Sequence, residues 1–433
     1  MGGFFQNETG IAAALFALAM PVVFGTIGLA VDVSNWYMHR RSMQNAADAA
    51  AIAAATATSN NAAEAQAVAA QLGYTNGSGN VKVTTTSPSP KPAGCPASQN
   101  CYNVTISDKA SSFFAQAIGY NGAPTISASS VATSGPAYPY CILALNGQVS
   151  NDFTTNGAPK ADLAGCNIMA NSSATCHGHN LNANIGDAHG TNSGCGIIQH
   201  SNMPTVSDPY SGLASNIPTD SCGGIYYHEP TKKSGSPLPA SNQLGNSNNT
   251  TTYTWSGNEI FCGDLQLMGN VEIDAPSNAV LVIENGTLDL NNNTLQTASG
   301  SGLTIVFTGS NGSSSQQYPT GGGTLDIAAP TSGTWSGMAI YQDPALLDTG
   351  GVLDFTYAGN SPTWNITGMV YFPNANVTFS GAVGKGTNGA RCFGMVVSSL
   401  LINGTGSIFA NDTQCSSAGL SLPKGGYRGQ LVN

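Results

Sequence analysis

From Ile11 to Val31 the chain carries no charged residue over 21 positions. At 1.5 Å per residue a helix of that length matches a bilayer core of roughly 30 Å. The run therefore predicts a transmembrane helix over 11–32, preceded by a short tail at 1–10. A cleavable export signal has a shorter apolar region, a basic residue before it and a small-x-small site after it. Here the preceding residues are MGGFFQNETG, without Lys or Arg, and the residues after the run are DVSNWYMHRR. Pro21, Gly25 and Gly28 lie inside the run, where neighbouring groups re-satisfy freed backbone groups.

Trp36 and Tyr37 fall where an aromatic belt meets the headgroups, and Arg40 and Arg41 come next in the headgroup zone. The positive-inside tendency alone keeps those arginines cytoplasmic. Large domains, however, translocate with little regard to nearby charge, and ten cysteines further along the chain need an oxidising compartment. The expected topology is a single pass with the C-terminal part outside.

Beyond the arginines, over 33–60, alanines at 46, 49, 50, 53, 54 and 57 recur at helical spacing. This predicts a continuing helix with one smooth small-residue face. Such a face packs either on the protein's own next domain or on a partner helix. Residues 61–135 read as a small α/β unit: a helix over 62–72, strands VKVTTT and CYNVTIS around a Pro-rich loop, a short helix SSFFAQAIGY and a strand TISASSVATS.

From 136 to 433 helical periodicity disappears. Short segments such as GNVEIDA, GTLDLNN, GTLDIAA and GMVYFPN alternate apolar and polar residues between Gly, Asn and Ser turns. Pairs two apart (Val271 and Ile273, Leu288 and Leu290, Leu325 and Ile327) predict inward faces of half-buried strands. Many short strands without a long apolar run predict a right-handed β-helix or solenoid, with a β-sandwich or jelly roll as the alternative. The fold class is thus membrane-anchored α+β.

The ten cysteines (Cys95, Cys101, Cys141, Cys166, Cys176, Cys195, Cys222, Cys262, Cys392, Cys415) all come after the apolar run, and none shows C-x-x-C spacing. That favours disulfides over zinc ribbons and an oxidising compartment such as a bacterial periplasm. Since successive coils are close in a solenoid, neighbours in sequence are expected to pair: Cys95 with Cys101, Cys141 with Cys166, Cys176 with Cys195, Cys222 with Cys262, Cys392 with Cys415.

Only 8% of residues are charged, and the net charge is -10. No Lys or Arg occurs from Ser234 to Gly384, so a phosphate backbone finds little to neutralise and nucleic acid is excluded as a partner. The densest polar cluster holds Cys166, Cys176, His177, His179, Asp187, His189 and Cys195, but its spacing matches no closed zinc motif. No metal and no cofactor is expected. Asp264, Glu272, Asp274, Glu284 and Asp289 are near enough in sequence to stack on successive coils, where two converging carboxylates would permit general acid–base work on a polysaccharide. Dispersed solvent-facing acids are the simpler expectation, so no catalytic residue is assigned.

The segment ETGIAAALFALAMPVVFGTIGLAVDVSNWYMHRRSMQNAADAAAIAAA resembles the N-terminal region of TadG-like proteins of the tight-adherence (Tad, or Flp) pilus machinery. There an apolar helix runs into AVD, aromatic, basic and Ala-rich elements in that order. SSFFAQAIG, CILAL, SGMAIYQD and GMVYFPNANVTFSG are similar to further pieces of that family. The resemblance implies a single-span inner-membrane protein with a periplasmic or surface-directed domain, serving pilus assembly, anchoring or adhesion without catalysis. Its implied partners are the lipid bilayer and other pilus-assembly or envelope proteins, met through the Ala-rich helix or the β domain, and a surface or glycan. Some relatives carry an integrin-type metal site, D-x-S-x-S; here DVSNW departs from it at Trp36. A pilin of this machinery has Glu five residues after the processing Gly, whereas Leu15 is the fifth residue after Gly10. The helix is therefore expected to stay as an anchor.

Overall fold

The computed structural model describes residues 8–57, 60–96, 99–115, 120, 122–135, 137–157, 160–219, 221–229, 238–310, 317–355, 362–380, 392–404, 407–409, 414–425 and 429–432. The chain forms two compact units, Met1–Pro136 with Tyr427–Asn433, and Ala137–Gly426.

In the first unit the apolar run and the Ala-rich stretch are one 49-residue helix, α1 (Glu8–Thr56), with Pro21 inside it. Good helix formers, Ala above all, fill its second half, so propensity carries the helix past the apolar run. It ends where Asn61 Nδ2 donates to the free carbonyls of Ala54 (2.7 Å) and Ala57 (3.0 Å). Helix α2 (Asn61–Gln71) is next. Strands β1 (Lys82–Thr86), β2 (Cys101–Lys109) and β3 (Thr125–Ser134) form an antiparallel sheet, with Val83 opposite Ile106 and Ile106 opposite Ala128. The strand Gly429–Leu431 completes it, pairing antiparallel with β3. The expected all-β segment of 136–433 thus returns its last residues to the first unit. Of the short helix expected in SSFFAQAIGY, Phe113–Ala115 begin a tight turn, while residues 116–119 lie outside the described residues.

The second unit is mostly β, with parallel sheets. One parallel stack runs Thr251–Thr254, Val271–Asp274, Thr294–Thr297, Thr324–Asp326 and Thr363–Trp364; another runs Gln243–Leu244, Leu265–Leu267, Leu288–Asp289 and Pro319–Thr320. The largest sheet is also parallel along its main path. From one edge the order is Ile198–His200, Ile185–Ala188, Asn167–Ala170, Ile142–Ala144, Phe393–Asn403, Gly368–Ser380, Met338–Gln342, Leu303–Thr308, Ala279–Glu284 and Asn258–Cys262. The chain enters this sheet in its middle, at Ile142–Ala144, and steps outward to Ile198–His200. It then crosses to the far edge and steps back, until Phe393–Asn403 pairs with the strand where it began.

This layering produces two burial patterns. In the stack containing Val271–Asp274 alternate residues are buried, so Val271, Ile273, Leu295 and Leu325 face the core. In the largest sheet, Ala279–Glu284 and Met338–Gln342 are buried throughout, the signature of a parallel sheet covered on both faces. Part of that cover is the crossing segment: Tyr371 donates its hydroxyl to Asp208 (2.6 Å), and Tyr341, stacked on Tyr371, donates to the Tyr210 carbonyl (3.2 Å). Burial and the adjacent Asp208 push the Tyr371 phenol far above its ordinary value, so it stays a donor.

The candidate site at the base of the long helix

One face of α1 organises the first unit. Residues Gly28, Asp32, Met43, Ala46, Ala47, Ala50, Ala51, Ala54 and Ala55 are buried, and the run from Leu15 to Val33 is otherwise largely exposed. The alanines pack on Ala65 and Ala69 of α2 and on Val83, Val104, Ile106, Ala128 and Ala132 of the sheet. The small-residue face is therefore used within its own unit rather than left open for a partner helix. Of the alanines expected on that face, Ala46, Ala50 and Ala54 are buried and Ala49, Ala53 and Ala57 half-buried, and Ala47, Ala51 and Ala55, outside the expected stripe, are buried beside them.

Below the alanines the same face carries polar anchors. Gln44 Nε2 donates to the Ser129 carbonyl (3.1 Å) and to Asp48 (2.8 Å). His39 lies 3.2 Å from Asp108 and edge-on to Tyr74. Trp36 Nε1 donates to the Ser111 carbonyl at 3.0 Å. One helical turn earlier, the Asp32 carboxylate accepts the backbone N–H groups of Phe113 (2.8 Å), Phe114 (2.9 Å) and Ala115 (2.6 Å). Another turn on is Gly28, where an added Cβ would stand 2.7 Å from the Phe114 Cβ. Only glycine lets that ring approach so closely.

Of the four interface residues named from sequence, Trp36 is half-buried on the loop, whereas Tyr37, Arg40 and Arg41 are exposed. The sequence reading missed Asp32 and Phe113–Ala115 as a unit. An acid placed immediately after an apolar run was the available signal, since a carboxylate there requires partners.

Five cysteine pairs stand at disulfide distance: Cys95–Cys101, Cys141–Cys166, Cys176–Cys195, Cys222–Cys262 and Cys392–Cys415, with Cα separations of 4.6 to 6.3 Å. These are the neighbour pairs named from the sequence. The polar cluster around them resolves into local bonds: His179 Nδ1 accepts the Leu181 N–H, and His189 Nδ1 meets the Met203 carbonyl. Asp187, fully buried, accepts the Tyr140 hydroxyl and lies 2.7 Å from His200 Nδ1. Among the described residues no group of three His, Cys, Asp or Glu has metal-binding geometry.

The five carboxylates do not act as one set. Glu272 accepts from Gln296 (2.6 Å), Asp274 meets Ser301 (3.4 Å), and Glu284 is buried against Tyr226 (3.4 Å). Asp264 and Asp289 do converge, on a residue sequence reasoning did not name. Gln266 Nε2 donates both to Glu229 and to Asp289 (3.0 Å), while Asp264 accepts the Glu229 N–H (2.8 Å). Burial, then Asp289 and Asp264, push the Glu229 carboxyl up to about 7.

Taken together, these features define a class: an N-terminal helix long and apolar enough to span a membrane, leading into a mostly-β region with parallel sheets. Within it, residues 10–57 match the family model described as Flp pilus-assembly TadE/G-like, so the chain carries a TadE/G-like segment. That match ends one residue beyond α1 and takes in Gly28, Asp32, Trp36 and the buried alanines. No curated protein and no solved structure matches the chain.

Proposed function

We propose that this is a non-catalytic structural component of a Tad-type pilus assembly, held in the bacterial inner membrane by α1. The observation that carries the reading is the coincidence of the family match at 10–57 with the apolar run and the buried small-residue face. In this reading α1 crosses the bilayer once, and the cysteine-rich unit lies in the periplasm or is directed to the surface. Its parallel sheets wind as a right-handed β-solenoid pinned by the disulfides. The solenoid offers a neutral, Asn- and Ser-rich surface to pilus components, envelope or a surface glycan, serving anchoring or adhesion.

Two measurements test this. Carbonate washing of cell membranes should leave the full-length protein in the pellet, and deletion of its gene should reduce Flp pili or surface attachment. A soluble protein, or a deletion strain with unchanged piliation and attachment, overturns it.

A second reading, a membrane-tethered polysaccharide-modifying enzyme, draws support from one observation: Glu229 and Asp289 converge on Gln266, with Glu229 poised near neutrality. Release of reducing ends from envelope or host glycans, lost in Glu229→Gln and Asp289→Asn, would favour it over the structural role.

A further inference from the structure

The structure places an uncharged aromatic turn alongside the membrane-length part of α1. Ser111–Ala115 comes after β2 and reaches down α1 to Gly28, three residues before the uncharged run ends at Val31. By helical rise, Gly28 lies about 12 Å nearer the N-terminus than Trp36, the expected headgroup level. Phe113 and Phe114 are nevertheless 63% and 51% exposed, and on α1 Phe24 and Ile27, which flank Gly28 in sequence, are 64% and 56% exposed.

We propose that Phe113 and Phe114 form a membrane wedge: a second element, besides α1, that enters the acyl-chain boundary of the bilayer and holds the first unit against the lipid surface. The proposal rests on the reading of α1 as a membrane span.

Three features on this face fit lipid as the occupant. A loop can enter that depth only if its backbone groups are satisfied without water. Asp32 does this for three successive N–H groups, and Trp36 does it for the Ser111 carbonyl. The acid at that depth is solvated by three backbone N–H donors and is fully buried, so it does not face lipid. Finally, the exposed apolar surface is continuous with that of α1, and exposed Arg40 and Arg41 lie further along the helix, about 18 Å and more from Gly28, where phosphates are expected. Two adjacent exposed phenylalanines form an apolar patch of the kind that marks a contact with protein, membrane or ligand.

The test uses full-length protein in phosphatidylethanolamine–phosphatidylglycerol vesicles, with its ten native cysteines paired. Single nitroxide labels at Phe113→Cys, Leu18→Cys, Tyr37→Cys and Asn45→Cys are compared by accessibility to oxygen and to a water-soluble nickel complex. The expected result is a label at 113 that is oxygen-favoured, deeper than 37 and shallower than 18. Nickel-favoured exposure at 113 equal to that at 45, with 18 still oxygen-favoured, overturns the wedge while leaving the span intact. Nickel-favoured exposure at 18 overturns the span and the wedge with it. A label at 113 shielded from both reagents shows a protein cover and overturns lipid as the occupant. Gly28→Leu, which displaces the Phe114 ring, should shift the 113 label at least twofold toward nickel if the turn is held at that depth by this contact.

Discussion

Asp32 and Ala115, 83 residues apart in sequence, are joined by a 2.6 Å hydrogen bond from the Ala115 N–H to the Asp32 carboxylate. With the bonds to Phe113 and Phe114 it makes one side chain of α1 the local cap of a distant turn. Asp32→Ala leaves the buried Ala115 N–H and the part-buried N–H groups of Phe113 and Phe114 without their acceptor, at about 1–3 kcal/mol for the buried one. Amide exchange at 113–115 should accelerate at least tenfold, while exchange at Ala47–Ala54 stays slow. Asp32→Asn keeps one acceptor oxygen and should fall between.

The alanine face makes a packing prediction. Ala47, Ala50, Ala51 and Ala54 are fully buried against α2 and the sheet, with no room for added methylenes. Ala50→Leu should destabilise the first unit by about 1–3 kcal/mol, whereas Asn45→Leu, on the exposed side, should stay within about 0.5 kcal/mol. Denaturant titration monitored by exchange of α1 amides separates the two. Equal effects would mean that the helix does not pack by this face.

Asp152 gives a pH prediction for the second unit. It is fully buried, and one carboxylate oxygen accepts the Ser172 N–H (3.1 Å) while Oδ1 has no partner among the described residues. Burial raises its carboxyl from 3.8 to about 7. Between those values the unfolded chain releases a proton that the folded chain keeps. Stability therefore falls as pH rises from about 4 to about 7, and is level above that. The loss attributable to this group is at most about 4 kcal/mol. Asp152→Asn should remove that slope, making the variant the more stable protein at pH 8 and nearly equal to the parent at pH 4. Unfolding monitored by the emission of Trp255, Trp335 and Trp364 measures it.

How much of this was legible in the sequence depended on the range of the interaction. The 21-residue uncharged run and the alanine tract are local periodicities, and both elements fall inside α1. The period-2 pairs are local as well, and Val271, Ile273, Leu288, Leu290, Leu325 and Ile327 are all buried. Neighbour pairing of cysteines came from the short return distance between successive strands. What the sequence hid is the pairing of distant segments. Strand Ile142–Ala144 lies beside Phe393–Asn403, and Gly429–Leu431 beside β3, because chain order and spatial order diverge where the chain enters a sheet in its middle. The same reason hid Asp32 from Phe113. Glu229 escaped because its meaning comes from Gln266 and Asp289 on neighbouring strands, while attention to carboxylates close in sequence pointed also to Glu272 and Asp274, which bond elsewhere.

That carboxylate group separates a structural cost from a chemical role. Glu229 is held near neutrality by burial and by two other acids, and Gln266 can donate to Glu229 and Asp289 whether or not Glu229 carries its proton. Above pH 7 the three charges repel; below it Glu229 is neutral and the strain is relieved. Glu229→Gln keeps the shape and removes the charge, so it should raise the melting temperature of the second unit at pH 8 by about 2 °C and leave it unchanged at pH 5. Asp289→Asn should lower the Glu229 carboxyl toward the ordinary carboxylate range, read by carboxyl-carbon NMR titration. If the cluster serves only the fold, both variants complement a deletion strain for piliation and attachment at the parental level. Loss of those functions in Glu229→Gln, with stability raised as expected, would assign the acids a role beyond packing and move the balance toward chemistry on a glycan.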